Sequence, residues 1–284
     1  AFVFFTSEDL KSWEQQSTLN IEDFGVREIA AFEDCPELFQ LPLDGDTNNT
    51  KWVLYAGSGD YVLGDFNGKR FVPETGLIKY NYGDCFYASQ TFNNVPESDG
   101  RRIQIAWGTV DFPGMPFNQL ITFPVELTLR ATEDGVRMFS NPVKEITGIY
   151  EKEHSWKDTY FEPGQNILSK IDNESLDIEI EFEYSASSNF VFQINGREIF
   201  FNAQQESLES GDMKSPLKSQ DGKIHLRLLV DTGIVEVFGN NGRIYMPLQS
   251  VPEADERSLK MYCSGGKMKV NSLKVREVES IWTM

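Results

Sequence analysis

Three carboxylates crowd one short stretch of the chain. In residues 31–43, AFEDCPELFQLPL, Glu33, Asp34 and Glu37 surround a Cys35-Pro36 step between apolar runs that read as buried strands. So much acid beside apolar sequence costs repulsion and desolvation, the conditions that shift carboxylate protonation and mark some, though not all, acid–base sites. On an acidic protein the same cluster also reads as a solvated turn. The cluster by itself leaves both readings open.

Few other residues offer chemistry. Cys35, Cys85 and Cys263 are an odd number without CxxC spacing. They imply neither a disulfide framework nor a zinc knuckle and read as small buried hydrophobes. His154 and His225 fall in the C-terminal half, and IHLRLLVD puts His225 on a strand. It reads as structural, and neither a metal nor a cofactor is expected. The 44 acidic against 26 basic residues give a formal charge of −18, which repels nucleic-acid phosphates and anionic lipid, so both are excluded as partners. No run approaches the roughly 20 apolar residues of a membrane span, and no basic-then-apolar leader opens the chain.

The elements that must position these residues read as strands throughout. With 21 Phe, 10 Tyr, 5 Trp, 22 Gly and 12 Pro in 284 residues, the composition is that of a turn-rich, all-β chain with room for two domains. KWVLYAGSGDYVLGDFNGKRF is split by Gly-Ser-Gly-Asp and by Asn67-Gly68, a type I′ hairpin signal. CFYASQTF and RRIQIAWGTV repeat the strand-turn-strand pattern, which suggests successive propeller blades. Residues 112–118, FPGMPFN, are too proline-rich for a ladder. A hairpin through Glu133-Asp134-Gly135 follows, then a connector that takes one or two helical turns, and the domain boundary is placed near 148. Beyond it, LDIEIEFEY alternates so strictly that Asp177, Glu179, Glu181 and Glu183 are expected on a wet strand face. Further short strands at near-even spacing predict a two-sheet sandwich over 149–284.

Taken in order, Glu33-Asp34-Cys35-Pro36-Glu37-Leu38-Phe39, FYASQTF (86–92), IAWG (105–108), FNQ with FPVELTL (117–129) and VDTGIVEVFGNNG (230–242) resemble glycoside hydrolase family 32, the invertases, inulinases and levanases. The resemblance covers nearly the whole chain. It implies the last blades of a five-bladed β-propeller over 1–148, a β-sandwich over 149–284, and retaining hydrolysis of fructosyl bonds in sucrose or fructans, outside the cytoplasm. It also implies substrate-binding roles for Asp84, Tyr87 and Trp107, although the two aromatics equally suit a core and Asp84 a turn.

Retaining chemistry needs a carboxylate nucleophile and a carboxylic acid about 5–5.5 Å apart. The family's acid/base is a Glu directly before Cys-Pro. Here that place holds Asp34, whose reach is shorter by roughly 1.5 Å, with Glu33 one residue earlier. Asp34 is the leading candidate. A bulge that turns Glu33 inward, and a site that binds sugar without cleaving it, stay open. A sandwich that only clamps the propeller or forms a dimer contact is a further reading. The family's nucleophile motif, Asn-Asp-Pro, and its stabiliser motif, Arg-Asp-Pro, occur nowhere in the sequence. The resemblance therefore places both before Ala1, in an N-terminal half without which open blades would expose their apolar faces.

Overall fold

The computed structural model of the protein describes residues 1–24, 34–171, 173–184, 189–252 and 258–281; Glu33 lies outside them. The chain groups into two compact units. Ala1–Asn81, Phe86–Ala106 and Glu126–Phe139 form the first, and Tyr82–Cys85, Trp107–Val125 and Ser140–Met284 the second.

In the first unit, β1 (Phe2–Thr6) pairs antiparallel with β2 (Glu14–Leu19). Alternation along β1 packs Phe2 and Phe4 against the cluster of Leu19, Leu54, Ala56, Val62 and Phe71 and turns Val3 and Phe5 outward. A meander follows through β3 (Glu37–Leu43), β4 (Asp46–Tyr55), β5 (Tyr61–Phe66) and β6 (Phe71–Pro73). A second set comprises β7 (Tyr87–Thr91), β8 (Arg102–Gly108), β10 (Val125–Thr132) and β11 (Gly135–Pro142), while β9 (Leu120–Ile121), which groups with the second unit, pairs with Trp107 and Gly108 at the end of β8. The strand order is β6-β5-β4-β3-β10-β8-β7, with β11 beside β10 and β9 beside β8.

The two sets are thus joined in one sheet. The Asp44-Gly45 turn makes the join: Asp44 N donates to Leu129 O at 2.9 Å, and Ala131 N donates to the Asp44 carboxylate at 3.1 Å. The hairpin at Asn67-Gly68 forms, but not as a type I′ turn. Gly68 alone of the pair has positive φ, at 89°. The Asn67 carboxamide instead accepts from Lys69 N and Arg70 N at 3.0 and 2.9 Å, which widens the loop by two residues.

In the second unit the 3₁₀ helix Lys144–Ile149 leads into β12 (Tyr150–Phe161). Then come β13 (Leu176–Glu183), β14 (Asn189–Ile194), β15 (Arg197–Asn202), β16 (Ser207–Ser210) and β17 (Met213–Pro216). The chain continues with β18 (Lys223–Asp231), β19 (Gly233–Gly239), β20 (Ile244–Ser250), β21 (Leu259–Ser264) and β22 (Met268–Val278). They build two antiparallel sheets, β12-β22-β13-β18-β19-β20 and β17-β16-β15-β14-β21. One core lies between them, in which Ile178, Ile180 and Phe182 from the first sheet meet Phe190, Phe192 and Phe201 from the second.

The acidic face of β13 is wet only in part: Glu179, Glu181 and Glu183 are partly exposed, as the alternation suggests, and Asp177 is not. Asp177 is fully buried, with Arg227 of β18 donating to both its oxygens at 2.9 and 2.7 Å. Glu181 pairs with Lys223, and Glu183 with Lys269. Antiparallel pairing sets basic residues of the flanking strands among these acids, with Glu179 between Arg227 and Lys274 and Glu183 between Lys223 and Lys269, so opposite charges meet across the sheet.

Two segments that interrupt the first unit in sequence, 82–85 and 107–125, pack on this six-stranded sheet. Tyr82 N and Asp84 N donate to Tyr245 O and Pro247 O at 3.0 and 3.1 Å. Gly83 lies so close to Pro247 that a Cβ would come within 2.6 and 2.7 Å of its carbonyl carbon and nitrogen, and closer still to its oxygen. The obstacle is backbone and cannot rotate away. Gly83→Ala is therefore expected to cost about 3 kcal/mol, the upper end of overpacking penalties. A urea midpoint equal to the parent's would show that the segment shifts freely.

Glu236 of β19 lies beneath the same segments. It is buried, and accepts hydrogen bonds from Phe123 N at 2.7 Å and from Tyr245 OH. Burial pushes its carboxyl up to about 7, with the two donors opposing and Asp231 adding to the rise. The folded state therefore binds this proton more tightly than the unfolded chain does. That contribution favours folding fully below the ordinary carboxylate range and fades as pH rises from about 4.5 to about 7. Glu236→Gln, neutral throughout, is expected to flatten the parent's decline in unfolding free energy across that window. An unchanged slope would place the titration elsewhere.

Candidate active site

Asp34, Cys35 and Pro36 form an exposed turn at the entrance to β3. Cys35 takes φ of 50°, the left-handed region that a β-carbon disfavours, and its side chain is exposed. Cys35 is accordingly not the buried hydrophobe expected from its type, whereas Cys85 and Cys263 are buried. The turn is held from below through its backbone. Gly57 N donates to Asp34 O at 2.7 Å, and the Gln90 carboxamide donates to Cys35 O at 3.1 Å.

The Asp34 side chain meets Tyr87, the first residue of β7, whose hydroxyl donates to Asp34 Oδ2. Donation to a carboxylate makes the phenol proton harder to remove and raises the Tyr87 pKa. Glu37 has a different place. At the head of β3 it is half-buried, accepting from Thr91 N at 2.8 Å and Thr91 Oγ1 at 3.0 Å. Burial raises its carboxyl above the usual range against those two donors and the nearby Arg102. Glu37 thus clamps the far end of β7 while Tyr87 at the near end reaches Asp34.

Beneath β7, the fully buried Ser89 hydroxyl bonds the Tyr55 hydroxyl. Gln104 donates to Tyr55, and Tyr80 donates to Gln104 Oε1 at 3.1 Å. A buried polar chain with its members paired in this way fixes strand positions closely. Sequence reasoning missed Glu37 as a clamp, Gly57 and this chain. Ser89 was visible inside FYASQTF, but its partners come from strands distant in sequence.

The other expected site residues group with the second unit. Trp107, opposite Ile121 in the β8–β9 pair, leaves 43% of its surface exposed. The Asp84 carboxylate pairs with Arg197 at 2.6 Å and accepts from Gln249 N at 2.9 Å, so it ties its segment to the sandwich strands. Asp34 and Tyr87 are brought together in the first unit. Among the described residues no group of three or more His, Cys, Asp and Glu side chains is arranged to hold a metal ion. An open cleft of about 390 Å3 in the first unit is lined by Glu37, Phe39, Gln40, Trp52, Asn93 and Arg102, among others.

An exposed carboxylate turn clamped on a β-meander, in a chain that continues as a two-sheet sandwich, defines a class of all-β proteins with a candidate acid–base site. The chain belongs to glycosyl hydrolase family 32: the family's N-terminal domain matches residues 1–142 and its C-terminal domain residues 145–277. A levanase from Bacillus subtilis (strain 168) is 30% identical over 322 aligned residues, covering 99% of this chain and 47% of the levanase. An extracellular exo-inulinase from Aspergillus ficuum is 25% identical, covering 99% of this chain and 60% of the inulinase. The chain thus spans roughly half the length of these relatives. In fold it is similar to the crystal structure of exo-inulinase from Aspergillus awamori, with a TM-score of 0.82 at 20% identity over 99% of this chain and 62% of that one. A fructofuranosidase from Schwanniomyces occidentalis, solved with fructose, gives a TM-score of 0.79 at 19% identity over 98% of this chain and 65% of that one.

Proposed function

We propose that this chain is the acid/base-bearing part of a retaining glycoside hydrolase that releases fructose from levan, inulin or sucrose. The observation that carries the reading is the Asp34–Tyr87 pair, set before Cys-Pro in a chain matched by both domains of the family. In this reading Asp34 protonates the leaving oxygen of the fructosyl bond and then takes a proton from the incoming water. Tyr87 holds Oδ2, which leaves Oδ1 to face the substrate. Trp107, with its exposed indole, and Asp84, whose carboxylate also pairs with Arg197, are the further candidates for sugar binding.

The two meanders act as the last blades of a five-bladed propeller followed by the sandwich, and the nucleophile and transition-state stabiliser come from residues outside these 284. The absence of Asn-Asp-Pro and Arg-Asp-Pro from the sequence supports that division. Levanase and extracellular exo-inulinase relatives support action outside the cell on fructose polymers.

The shorter side chain of Asp34 favours one rival: a degenerate site that holds fructan without cleaving it. Joining the chain to an N-terminal propeller portion and measuring fructose release from levan, inulin and sucrose separates the two. Release establishes the hydrolase. Affinity for levan without release establishes the binding module.

A further inference from the structure

The contacts around Asp34 converge on a residue with no side chain. Gly57 follows β4, two residues after Tyr55, and lies against the backbone of both the candidate acid turn and β7. Its N–H donates to Asp34 O at 2.7 Å. Its carbonyl accepts from Ser89 N and from Ser89 Oγ, each at 3.1 Å. A Cβ on Gly57 would stand 3.2 Å from Asp34 O and 3.4 Å from both Ala88 Cα and Cys35 Cβ. Cys35 and Ala88 are themselves in the left-handed region, at φ of 50° and 46°. Non-glycine residues hold that conformation only where the surroundings enforce it.

We propose that Gly57 is a positioning residue for the Asp34 carboxylate: its amide holds the acid turn, its carbonyl is held by Ser89, and its bare Cα lets Cys35 and Ala88 close upon it. The hydrogen bonds run from β7 through Gly57 to Asp34, while the Tyr87 hydroxyl closes the loop from β7 to the Asp34 side chain. Ser89, buried beneath and bonded to Tyr55, keeps the path rigid. The proposal rests on reading Asp34 as the proton donor. Gly57 is not in the left-handed region, so adding a side chain changes the space it occupies without straining its own backbone.

Gly57→Ala and Gly57→Val give a graded test, because alanine displaces its neighbours by a few tenths of an ångström and valine by more. Tyrosinate absorbance, with Tyr87→Phe identifying the Tyr87 signal, is read on the 284-residue chain and needs no activity. Tyr87 is expected to titrate nearer the ordinary phenol range in the alanine variant and to reach it in the valine variant. In the chain joined to an N-terminal propeller portion, fructose release is expected to fall in kcat at constant KM, roughly fourfold for alanine and about 10²-fold for valine. Thermal destabilisation with an unchanged Tyr87 titration overturns the proposal by making Gly57 a packing residue only. If valine prevents folding, the alanine titration decides. A shifted titration with undiminished fructose release supports the positioning path and overturns Asp34 as proton donor.

Discussion

Asp34→Asn is expected to lower fructose release from levan, inulin or sucrose by about 10²–10⁴-fold, the usual contribution of a positioned general acid. The measurement is kcat/KM in the chain joined to an N-terminal propeller portion. A fructoside with an activated aryl leaving group, which departs without protonation, should lose far less. That difference separates a missing proton donor from a collapsed pocket, because collapse impairs both substrates alike. Glu33→Gln, in the same assay, should leave natural substrates nearly unaffected. If it removes activity and Asp34→Asn does not, the acid is Glu33. Asp34→Glu tests the remaining alternative: it restores the longer reach of the family's usual residue, so activity that appears only in this variant identifies the parent as a binding module. Tyr87→Phe removes the hydroxyl that holds Oδ2 and should cost less than Asp34→Asn, because Gly57 still holds the Asp34 backbone.

Much of the fold was legible because local chemistry and the final structure agree. Alternation in LDIEIEFEY gives β13 over Leu176–Glu183, and Glu133-Asp134-Gly135 ends one strand and starts the next, with Gly135 at φ of 96°. The site was legible only in part. The carboxylate cluster stood out, but which member was spent on structure did not, since the donors to Glu37 lie 54 residues away in Thr91. Cys35 failed the expectation of burial because it lies in an exposed turn ahead of β3, a position that residue type does not reveal. Asp84 read as a turn residue or a sugar ligand, while its partners Arg197 and Gln249 belong to strands of the sandwich. Gly57 read as loop punctuation. Its use, a close approach of three backbone segments, exists only once β4, β7 and the acid turn are assembled.

Asp177 shows the same limit with a larger energetic consequence. Its strand pattern places it on an outward face, yet the carboxylate is fully buried, held by Arg227 through two charge-assisted hydrogen bonds and by the Tyr150 hydroxyl, with Arg276 3.7 Å away. Arg276 has other partners in Glu153 and Glu179. Among the described residues Arg227 makes one other hydrogen bond, to Tyr150 OH at 3.3 Å, and Glu179 lies opposite it in register, so Asp177 is its main hydrogen-bonding partner. Asp177→Ala therefore strands a desolvated guanidinium and is expected to cost about 3–5 kcal/mol in urea unfolding, the range for breaking one side of a buried pair. The double variant Asp177→Leu with Arg227→Leu should recover part of that loss, because it leaves no buried charge of the pair unpaired, although the Tyr150 hydroxyl loses both partners. Tyr150 supplies a second readout. Its phenol is pushed up to about 12, first by burial and then by donation to Asp177, so Asp177→Ala should bring its titration down toward the ordinary range. A loss below about 1 kcal/mol would mean that the pair behaves as a solvated surface contact, and the cross-strand neutralisation of β13 would then not be what stabilises that face.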